Sequence, residues 1–275
     1  MLTLGRYLNR AKVLTTVLAT IGFLGGCSPA KQKQEPIVVS PQRKADVTRA
    51  YQAGLAAIMR ESKLNPDTIW GLNQIVQMAP DDRLQKFIEE KTAILPKQPG
   101  FCAIISDAPR AALPEIRATG FAKYVQSLQA PFGTPTERAI SFLEDFLSTQ
   151  ESSYVLTHQF LVLVWAEQMG LELPKQLTDR KEDLLKQILR EQQKDHSFSD
   201  LYAERTALLL HYDKPSARDV EKWIDTILAA QLKDGRWWTY PALIDYDGET
   251  TLLKPLQQHS TVLSLWALQS YLHAH

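Results

Sequence analysis

The chain has 275 residues, of which 44% are hydrophobic, 9% aromatic and 23% charged. This composition is that of an ordinary globular protein, and it excludes a disordered or fibrous chain. The 31 lysines and arginines balance 31 acidic residues. Because a nucleic-acid-binding surface needs a basic excess, no nucleic-acid partner is expected.

The first 26 residues have the pattern of a signal peptide. Arg6, Arg10 and Lys12 form a basic start, and an uncharged apolar run of 12 residues follows from Val13 to Leu24. This run is too short for a membrane-spanning helix of about 20 residues. Removal of the segment would leave 28 basic and 31 acidic side chains, a net charge of −3.

Leu24-Gly25-Gly26-Cys27 resembles the lipobox of bacterial lipoproteins. The resemblance implies cleavage before Cys27, a diacylglyceryl group on its sulfur and an acylated amino terminus. Several acyl chains, such as palmitate, hold a protein stably to a bilayer, which would be its partner through the anchor. Ser28 in place of an aspartate resembles the signal for the outer membrane, so we expect a cell-envelope lipoprotein that faces the periplasm.

Residues 27–42 read as the lipidated cysteine and a flexible tether. The stretch after Cys27 contains three prolines and few apolar side chains. Acylation of Cys27 would leave Cys102 without an intramolecular partner, so we expect a buried thiol and no disulfide.

From residue 43 onward the apolar spacing predicts helices and no strand pairs. The first helix is expected over 43–63. Asn65-Pro66 combines a cap with proline at the first helical position, and Asp81 begins a third helix. A fourth is predicted from near Leu113-Pro114 to residue 129. These elements indicate a single all-α domain over 43–275.

The C-terminal half of the chain repeats itself. ILAAQLKDGRW at 227–237 aligns with ILREQQKDHSF, 39 residues earlier, and with a weaker copy 42 residues before that. A period of about 40 residues is typical of helical hairpins that cannot bury their apolar faces alone. Each copy has an outer helix with one apolar stripe, then an inner helix that is apolar nearly all round. Three such hairpins in 131–275 predict an α/α toroid or an open α/α solenoid.

The last copy carries a recognisable motif. Gln231-Leu-Lys-Asp234-Gly235-Arg-Trp237 resembles the QxxDGxW repeat of the terpenoid cyclase and protein prenyltransferase superfamily, whose fold is an α/α toroid. The resemblance implies that the glutamine caps a helix end and that the tryptophan packs against it. A polar side chain there would satisfy the free carbonyls of the last helical turn. The residues expected to serve the repeats structurally are Gln150, Gln192, Gln231, Asp234, Gly235 and Trp237.

The resemblance does not extend to the chemistry of that superfamily. Cyclases use an acidic DxDD run, whereas the nearest segment here, from Asp245 to Glu249, lacks its last two acids. Prenyltransferases bind zinc through Asp, Cys and His, and this half of the chain has no cysteine. The same segment resembles the start of a calcium loop, but Leu256 occupies the position of the bidentate glutamate. No metal and no cofactor besides the lipid on Cys27 is therefore predicted.

The interval from Trp238 to Gln258 is much longer than the corresponding turns of the other copies. Long loops within compact domains are usually functional or disordered, and this one contains aromatic and acidic residues. We interpret it as a lid or binding loop over one end of the ring, with a packed cover that binds nothing as the alternative. Its candidate binding residues are Trp238, Tyr240, Asp245, Asp247 and Glu249.

Four polar residues fall near the start of an inner helix in their copies: His158, Glu204, Arg205 and His259. In a closed ring these positions would converge at one rim of a central cavity, beneath the acidic loop. Histidines with carboxylates could form a metal site or a general acid/base pair, and helix N-termini favour a carboxylated ligand. A hydrogen-bonded structural cluster between repeats is the simpler interpretation.

Three functions fit these expectations. The favoured hypothesis is an envelope-anchored binding or scaffold module with a concave, aromatic-lined cleft, which is not an enzyme. The second is an α/α-toroid lyase or hydrolase acting on envelope glycan or another carbohydrate, an analogy of fold alone. The third is an assembly factor that offers its repeat surface to a protein. A closed cavity with His158, Glu204 and His259 in hydrogen-bond reach would favour an enzyme, and an exposed apolar groove would favour a protein partner.

Overall fold

Helices dominate the structure, a computed structural model that describes residues 39–95, 100–106, 108–115, 119–238, 242–244, 250–252 and 257–274. This confirms the predicted all-α class. The signal peptide, Cys27, most of the tether and the loop residues Tyr240, Asp245, Asp247 and Glu249 lie outside these ranges. The described helices are α1 (Pro41–Ile58), α2 (Pro66–Met78), α3 (Asp82–Ala93), α4 (Gly120–Gln129), α5 (Thr136–Leu147), α6 (Ser153–Gln168), α7 (Lys175–Lys194), α8 (Asp200–Tyr212), α9 (Ala217–Ala229) and α10 (Gln257–Ala274).

Several helices begin where the sequence supplies a cap. Asn65 is extended and is followed by Pro66 at the first position of α2, as predicted. The side chain of Asp81 accepts hydrogen bonds from the first backbone N–H groups of α3. Ser199 and Ser216 do the same for α8 and α9. These caps satisfy N–H groups that have no partner within the helix.

The repeats consist of outer and inner helices in alternation. The inner helices α6, α8 and α10 bury residues on nearly all sides. The outer helix α7 buries only one stripe, formed by Leu177, Leu184, Ile188 and Gln192. Because a helix without a polar face is stable only when it is surrounded, the inner helices occupy the core and the outer helices cover them.

The inner helices form a closed ring that α2 completes. α6 packs against α8, α8 against α10, and α10 against α2. Trp70 of α2 then contacts Trp165 of α6 edge to face, with ring centroids 5.9 Å apart. The Nε1–H of Trp70 donates to Oε1 of Gln168 in α6 at 3.0 Å. These contacts join the two ends of the inner layer, so the architecture is a toroid and not an open arc.

The first outer helix seals the ring at its seam. α1 packs against α10, and Nε of Arg43 lies 3.1 Å from a carboxylate oxygen of Glu221 in α9. Gln231, just after α9, donates from Nε2 to the carbonyl of Ala50 at 2.8 Å. The N-terminal and C-terminal helices of the domain are therefore direct neighbours.

Two short strand pairs differ from the expectation of helices alone. β1 (Ala111–Ala112) pairs in parallel with β2 (Gly133–Thr134), and β3 (Ala242–Ile244) pairs antiparallel with β4 (Thr250–Leu252) within the long interval after Trp238. The first pair explains why α4 begins at Gly120 and not near Leu113. The N–H of Leu113 donates to the carbonyl of Thr134 at 2.8 Å, and a residue before proline is kept out of the helical region.

Candidate functional site

The inner helices bring four polar side chains to one rim of the ring. Asp67, His158, Glu204 and His259 lie within the first six residues of α2, α6, α8 and α10 respectively. All four line one cavity. Helical side chains tilt toward the N-terminus of their helix, so their polar groups lie toward this rim. The convergence of His158, Glu204 and His259 expected from the repeat register is therefore present.

The cavity has a volume of about 220 Å³ and is lined mainly by aromatic and aliphatic side chains. Trp70 contacts Trp165 and Trp266 edge to face, with centroid separations of 5.9 and 5.5 Å. Phe101 contacts Trp165 at 5.0 Å. The cavity thus has an acidic, histidine-containing rim and an apolar, aromatic wall.

Asp200 organises one side of the rim. This carboxylate is 1% exposed and accepts hydrogen bonds from the hydroxyls of Ser260 at 2.6 Å and Tyr154 at 2.9 Å. Nδ1 of His259 lies 2.9 and 3.1 Å from its two oxygens. Burial alone would raise the pKa of Asp200, but the charge of His259 and these hydrogen bonds hold that pKa below its ordinary value.

His259 is a cation under ordinary conditions. Burial lowers its pKa, but the Asp200 carboxylate outweighs burial through charge and hydrogen bonding, and the pKa rises to about 10. On the other side of the imidazole, Nε2 of His259 lies 3.7 Å from Oδ2 of Asp67, which is too far for a hydrogen bond. His259 is therefore an imidazolium whose Nδ1–H is held by Asp200.

Glu204 has an unusual environment among the residues of this rim. Glu204 is 1% exposed, and neither of its carboxylate oxygens has a hydrogen-bond partner in the described part of the chain. Buried polar groups are nearly always hydrogen-bonded, so each exception calls for an explanation. Asp200, Glu204 and His259 each offer one ligand atom within 4.8 Å of the others, a spacing that could hold a metal ion.

His158 completes the rim from α6. Its Nδ1 lies 2.7 Å from the carbonyl oxygen of Tyr154, and because that oxygen can only accept, Nδ1 carries the proton. The bond is local to one turn of α6. It fixes the ring orientation and leaves Nε2 as the other polar atom of the side chain.

The expectation that Arg205 belongs to the cleft is wrong. Its guanidinium lies 2.6 Å from Glu191 and 3.3 Å from Asp195, both at the end of the outer helix α7. Successive residues of an α-helix point about 100° apart, so Arg205 must face away when Glu204 faces the ring centre. Arg205 instead joins α8 to α7.

Of the candidate residues in the loop after Trp237, only Trp238 lies within the described ranges. Trp238 is half-buried and is not among the residues that line the cavity. The other candidate residues of this loop lie outside the described ranges. The lid remains a prediction.

The turn after α9 carries the repeat motif in full. Gln231 donates from Nε2 to the carbonyl oxygens of Ala50 and Gly235, at 2.8 and 2.9 Å. Trp237 is fully buried, and its Nε1–H donates to the carbonyl of Ile227 at 2.7 Å. The indole is thus a second donor to a carbonyl in the last turn of α9, which also accepts from the Ala230 N–H at 3.2 Å, while the glutamine ties the turn to α1.

Asp234 and Arg236 stabilise the outer side of the same turn. The backbone N–H of Arg236 donates to Oδ1 of Asp234 at 3.0 Å, and its guanidinium to Oδ2 at 2.6 Å. These bonds hold the pKa of Asp234 below its ordinary value. Both residues act within the turn, outside the cavity.

The earlier glutamines do not repeat this arrangement. Gln192 is fully buried and donates from Nε2 to Oγ1 of Thr206 at 2.9 Å. Gln150 is exposed. In its place Gln159 of α6 donates from Nε2 to the carbonyl of Phe146, at the end of α5, at 2.7 Å. The capping function expected of Gln150 is thus performed by a residue of the inner helix.

Comparison with protein-family models, with curated proteins and with solved structures finds no match. Within the described ranges, no helix has both the length and the apolar character needed to cross a membrane.

The sequence contained one unused signal for the cavity. His158 and Trp165 are seven residues apart, as are His259 and Trp266. Two helical turns place such pairs on one face, so each histidine at the rim marks a tryptophan below it. Asp200 had no comparable signal, because an aspartate after Ser199 reads as an ordinary helix start.

Proposed function

We propose that this protein is an envelope-anchored lipoprotein whose helical ring binds a small ligand in its central cavity. The observation that supports a ligand most directly is the Glu204 carboxylate, which is buried at the cavity without a hydrogen-bond partner among the described residues. A concave, mainly apolar cavity with a few converging polar groups is the usual form of a ligand site.

The distribution of exposed hydrophobic residues favours a small ligand over a protein partner. The exposed large hydrophobic residues of the described chain are Ile94, Val125 and Leu232. They lie after α3, in α4 and after α9. Scattered single residues are normal on a protein surface and do not form the contiguous apolar patch that marks a protein interface.

A hydrolase or lyase acting on envelope glycan is the second candidate. The Asp200–His259 pair favours it, because a carboxylate that orients an imidazole is a common acid/base arrangement. However, His158, Glu204 and His259 form no hydrogen bonds with one another among the described contacts. A cavity of about 220 Å³ is also below the usual 300–1,000 Å³ of pockets for drug-sized ligands. Release of reducing ends from envelope glycan, lost in His259→Gln, would establish the enzyme instead.

The binding function can be tested by filling the cavity. Leu128 lies on α4 and lines the cavity, so Leu128→Trp should occupy part of its volume. We would measure saturation-transfer NMR of the mature protein with benzene, indole, butan-1-ol, butylammonium and butyrate. At least one probe should bind the wild type, and its signal should disappear in Leu128→Trp.

Val125→Trp is the matched control. Val125 lies on the same helix but is 40% exposed, so the added indole should point to solvent and leave binding unchanged. A panel in which no probe binds, or in which binding survives Leu128→Trp, would refute the cavity as a ligand site.

A further inference from the structure

The Glu204 carboxylate restricts the chemistry of whatever occupies the cavity. An ionised carboxylate removed from water is costly unless hydrogen-bond donors or a positive charge replace the water. Among the described residues, no hydrogen-bond donor reaches either carboxylate oxygen of Glu204, whose exposure is 1%. The imidazolium of His259 lies within 4.8 Å, but its Nδ1 is held by Asp200. An occupant that supplies N–H groups and positive charge would remove this deficit.

The helix end does not supply the missing donors. Glu204 is the fifth residue of α8, beyond the first turn where free N–H groups occur. Ser199 already accepts the hydrogen bond of the Tyr202 N–H in that turn, at 3.0 Å. The favourable effect of the helix dipole on a negative charge falls off within the first turn, and Asp200 lies closer to the N-terminus of α8 than Glu204 does. This arrangement argues against a carboxylated ligand, because the carboxylates of Asp67 and Asp200 already lie at the starts of α2 and α8.

The charge around the cavity also favours a cation. Three carboxylates, those of Asp67, Asp200 and Glu204, surround the single imidazolium of His259. This leaves a formal excess of two negative charges. No lysine or arginine is among the described residues that line the cavity, and Arg205 is directed to Glu191 and Asp195. In a site of low dielectric constant such an excess attracts positive charge strongly.

The aromatic wall suits an organic cation with an apolar body. Trp70, Trp165 and Trp266 line the cavity below the acidic rim. Tryptophan is the side chain whose ring attracts ammonium groups most strongly, and its remaining surface packs against methylene groups. A single metal ion would contact the rim and leave this wall without an occupant.

The hydrogen bonds that Asp200 already accepts argue against a metal ion as the occupant. Asp200 already accepts hydrogen bonds from Tyr154 and Ser260 and contacts Nδ1 of His259. That leaves Glu204 as the carboxylate without partners among the three residues of the cluster. Zinc sites use three or four ligands of fixed geometry, and the cavity below this rim is lined mainly by apolar side chains.

We propose that the cavity binds a small organic cation with a primary ammonium group, which donates hydrogen bonds to Glu204 while its apolar body contacts the three tryptophans. This inference rests on the proposed binding function and specifies its ligand class. The ammonium has three N–H donors, enough for both oxygens of Glu204. The alkyl chain of the ligand fills the apolar part of the cavity, next to the tryptophans.

Isothermal titration calorimetry of the mature protein tests this proposal with matched probes. Butylammonium should bind at least about tenfold more tightly than butan-1-ol, which has the same carbon chain without the charge, and butyrate should not bind. In Glu204→Gln the affinity for butylammonium should fall at least about tenfold. Glu144→Gln, at an exposed position of α5, should keep the wild-type affinity.

The stability of the ligand-free protein gives a second readout. Because neither carboxylate oxygen of Glu204 has a hydrogen-bond donor among the described residues, Glu204→Gln should leave the Tm at or above that of the wild type, whereas loss of a structural carboxylate would lower it. A lowered Tm with unchanged butylammonium affinity would overturn the proposal. If Glu204→Gln does not fold, the comparison of butylammonium with butan-1-ol in the wild type still decides.

The outcomes separate this inference from the binding function itself. If butan-1-ol or butyrate binds as tightly as butylammonium, the cation inference fails while the cavity remains a ligand site. If Zn²⁺ alone binds and Glu204→Gln removes that binding, the site is a metal site and the organic cation is wrong. If no probe binds at all, the binding function fails together with the inference.

Discussion

At the scale of single residues, His211 is a half-buried base that does not line the cavity. Trp266 donates from Nε1 to its Nδ1 at 3.3 Å, and the rings of Tyr212 and Trp266 lie 4.5 and 5.3 Å from its own. Burial lowers the pKa of His211, and the nearby His273 lowers it further. His211 is therefore neutral in the folded protein at pH values where an unfolded chain would protonate it.

This difference predicts loss of stability in mild acid. Below the unfolded pKa of about 6.5 the unfolded state gains a proton that the folded state resists. The free energy of unfolding is therefore not reduced by His211 at neutral pH. It declines as the pH falls through about 6.5 toward the lowered pKa of His211 in the folded state. Urea unfolding at pH 7 and pH 5.5 should show a smaller pH dependence for His211→Gln than for the wild type.

His196→Gln is the control for that measurement. His196 is exposed and interacts with Lys222 on the surface. Its replacement should leave the pH dependence near that of the wild type. An unchanged pH dependence in His211→Gln would contradict the assignment of His211 as a neutral base in the folded protein.

The candidate site shows what residue patterns can and cannot predict. His158, Glu204 and His259 were found because equivalent positions of repeated helices meet at one rim of a ring. Arg205 was misassigned because the pattern gives the turn of a helix and not the direction of each side chain. Asp67 was missed because α2 precedes the recognisable repeats, and only ring closure brings it to His259.

At the scale of elements, the turn between α9 and the long loop contacts α1 where this helix seals the seam of the ring. Gly235 has φ of +93°, and a Cβ at this position would lie 2.4 Å from the carbonyl oxygen of Ala53 in α1. Two requirements therefore meet at this residue, a left-handed backbone and a close approach to another helix.

Gly235→Ala is expected to destabilise the protein by roughly 3 kcal/mol or more, because the strained backbone and the displaced α1 act together. Gly170→Ala is the matched control. Gly170 has φ of +69°, but no atom lies within 4 Å of its added Cβ, so only the backbone cost of about 1 kcal/mol applies. Chemical denaturation of both variants measures the difference, and equal losses would contradict a tight contact between Gly235 and α1.

The starts of α2 and α3 agree with the sequence prediction, because each depends on residues within one helical turn. Asn65-Pro66 and Asp81 mark helix starts because caps and proline act within one turn. The start of α4 was predicted too early because Leu113 pairs with Thr134, a partner 21 residues away. The hairpin of β3 and β4 was not predicted either, since its strands are only three residues long. Contacts between distant segments decide such cases, and spacing does not record them.

At the scale of the whole molecule, the predicted anchor determines where the ring would be held. Cys27→Ala should prevent acylation, and the protein should move from the membrane pellet to the soluble fraction after cell disruption. Metabolic labelling with an alkyne palmitate followed by fractionation measures both effects. Cys102→Ala is the control, since Cys102 is a buried thiol within the fold. Membrane association that survives Cys27→Ala would contradict the lipobox.

The seam between α1 and α10 has a consequence for biogenesis. Arg43 bonds with Glu221 across 178 residues of sequence, and Gln231 with Ala50 across 181. The first helix of the domain therefore meets these native neighbours only after nearly all of the domain has been synthesised. Native contacts between segments so far apart in sequence slow folding. If the predicted signal peptide directs export, late folding would keep the chain unfolded until its passage is complete.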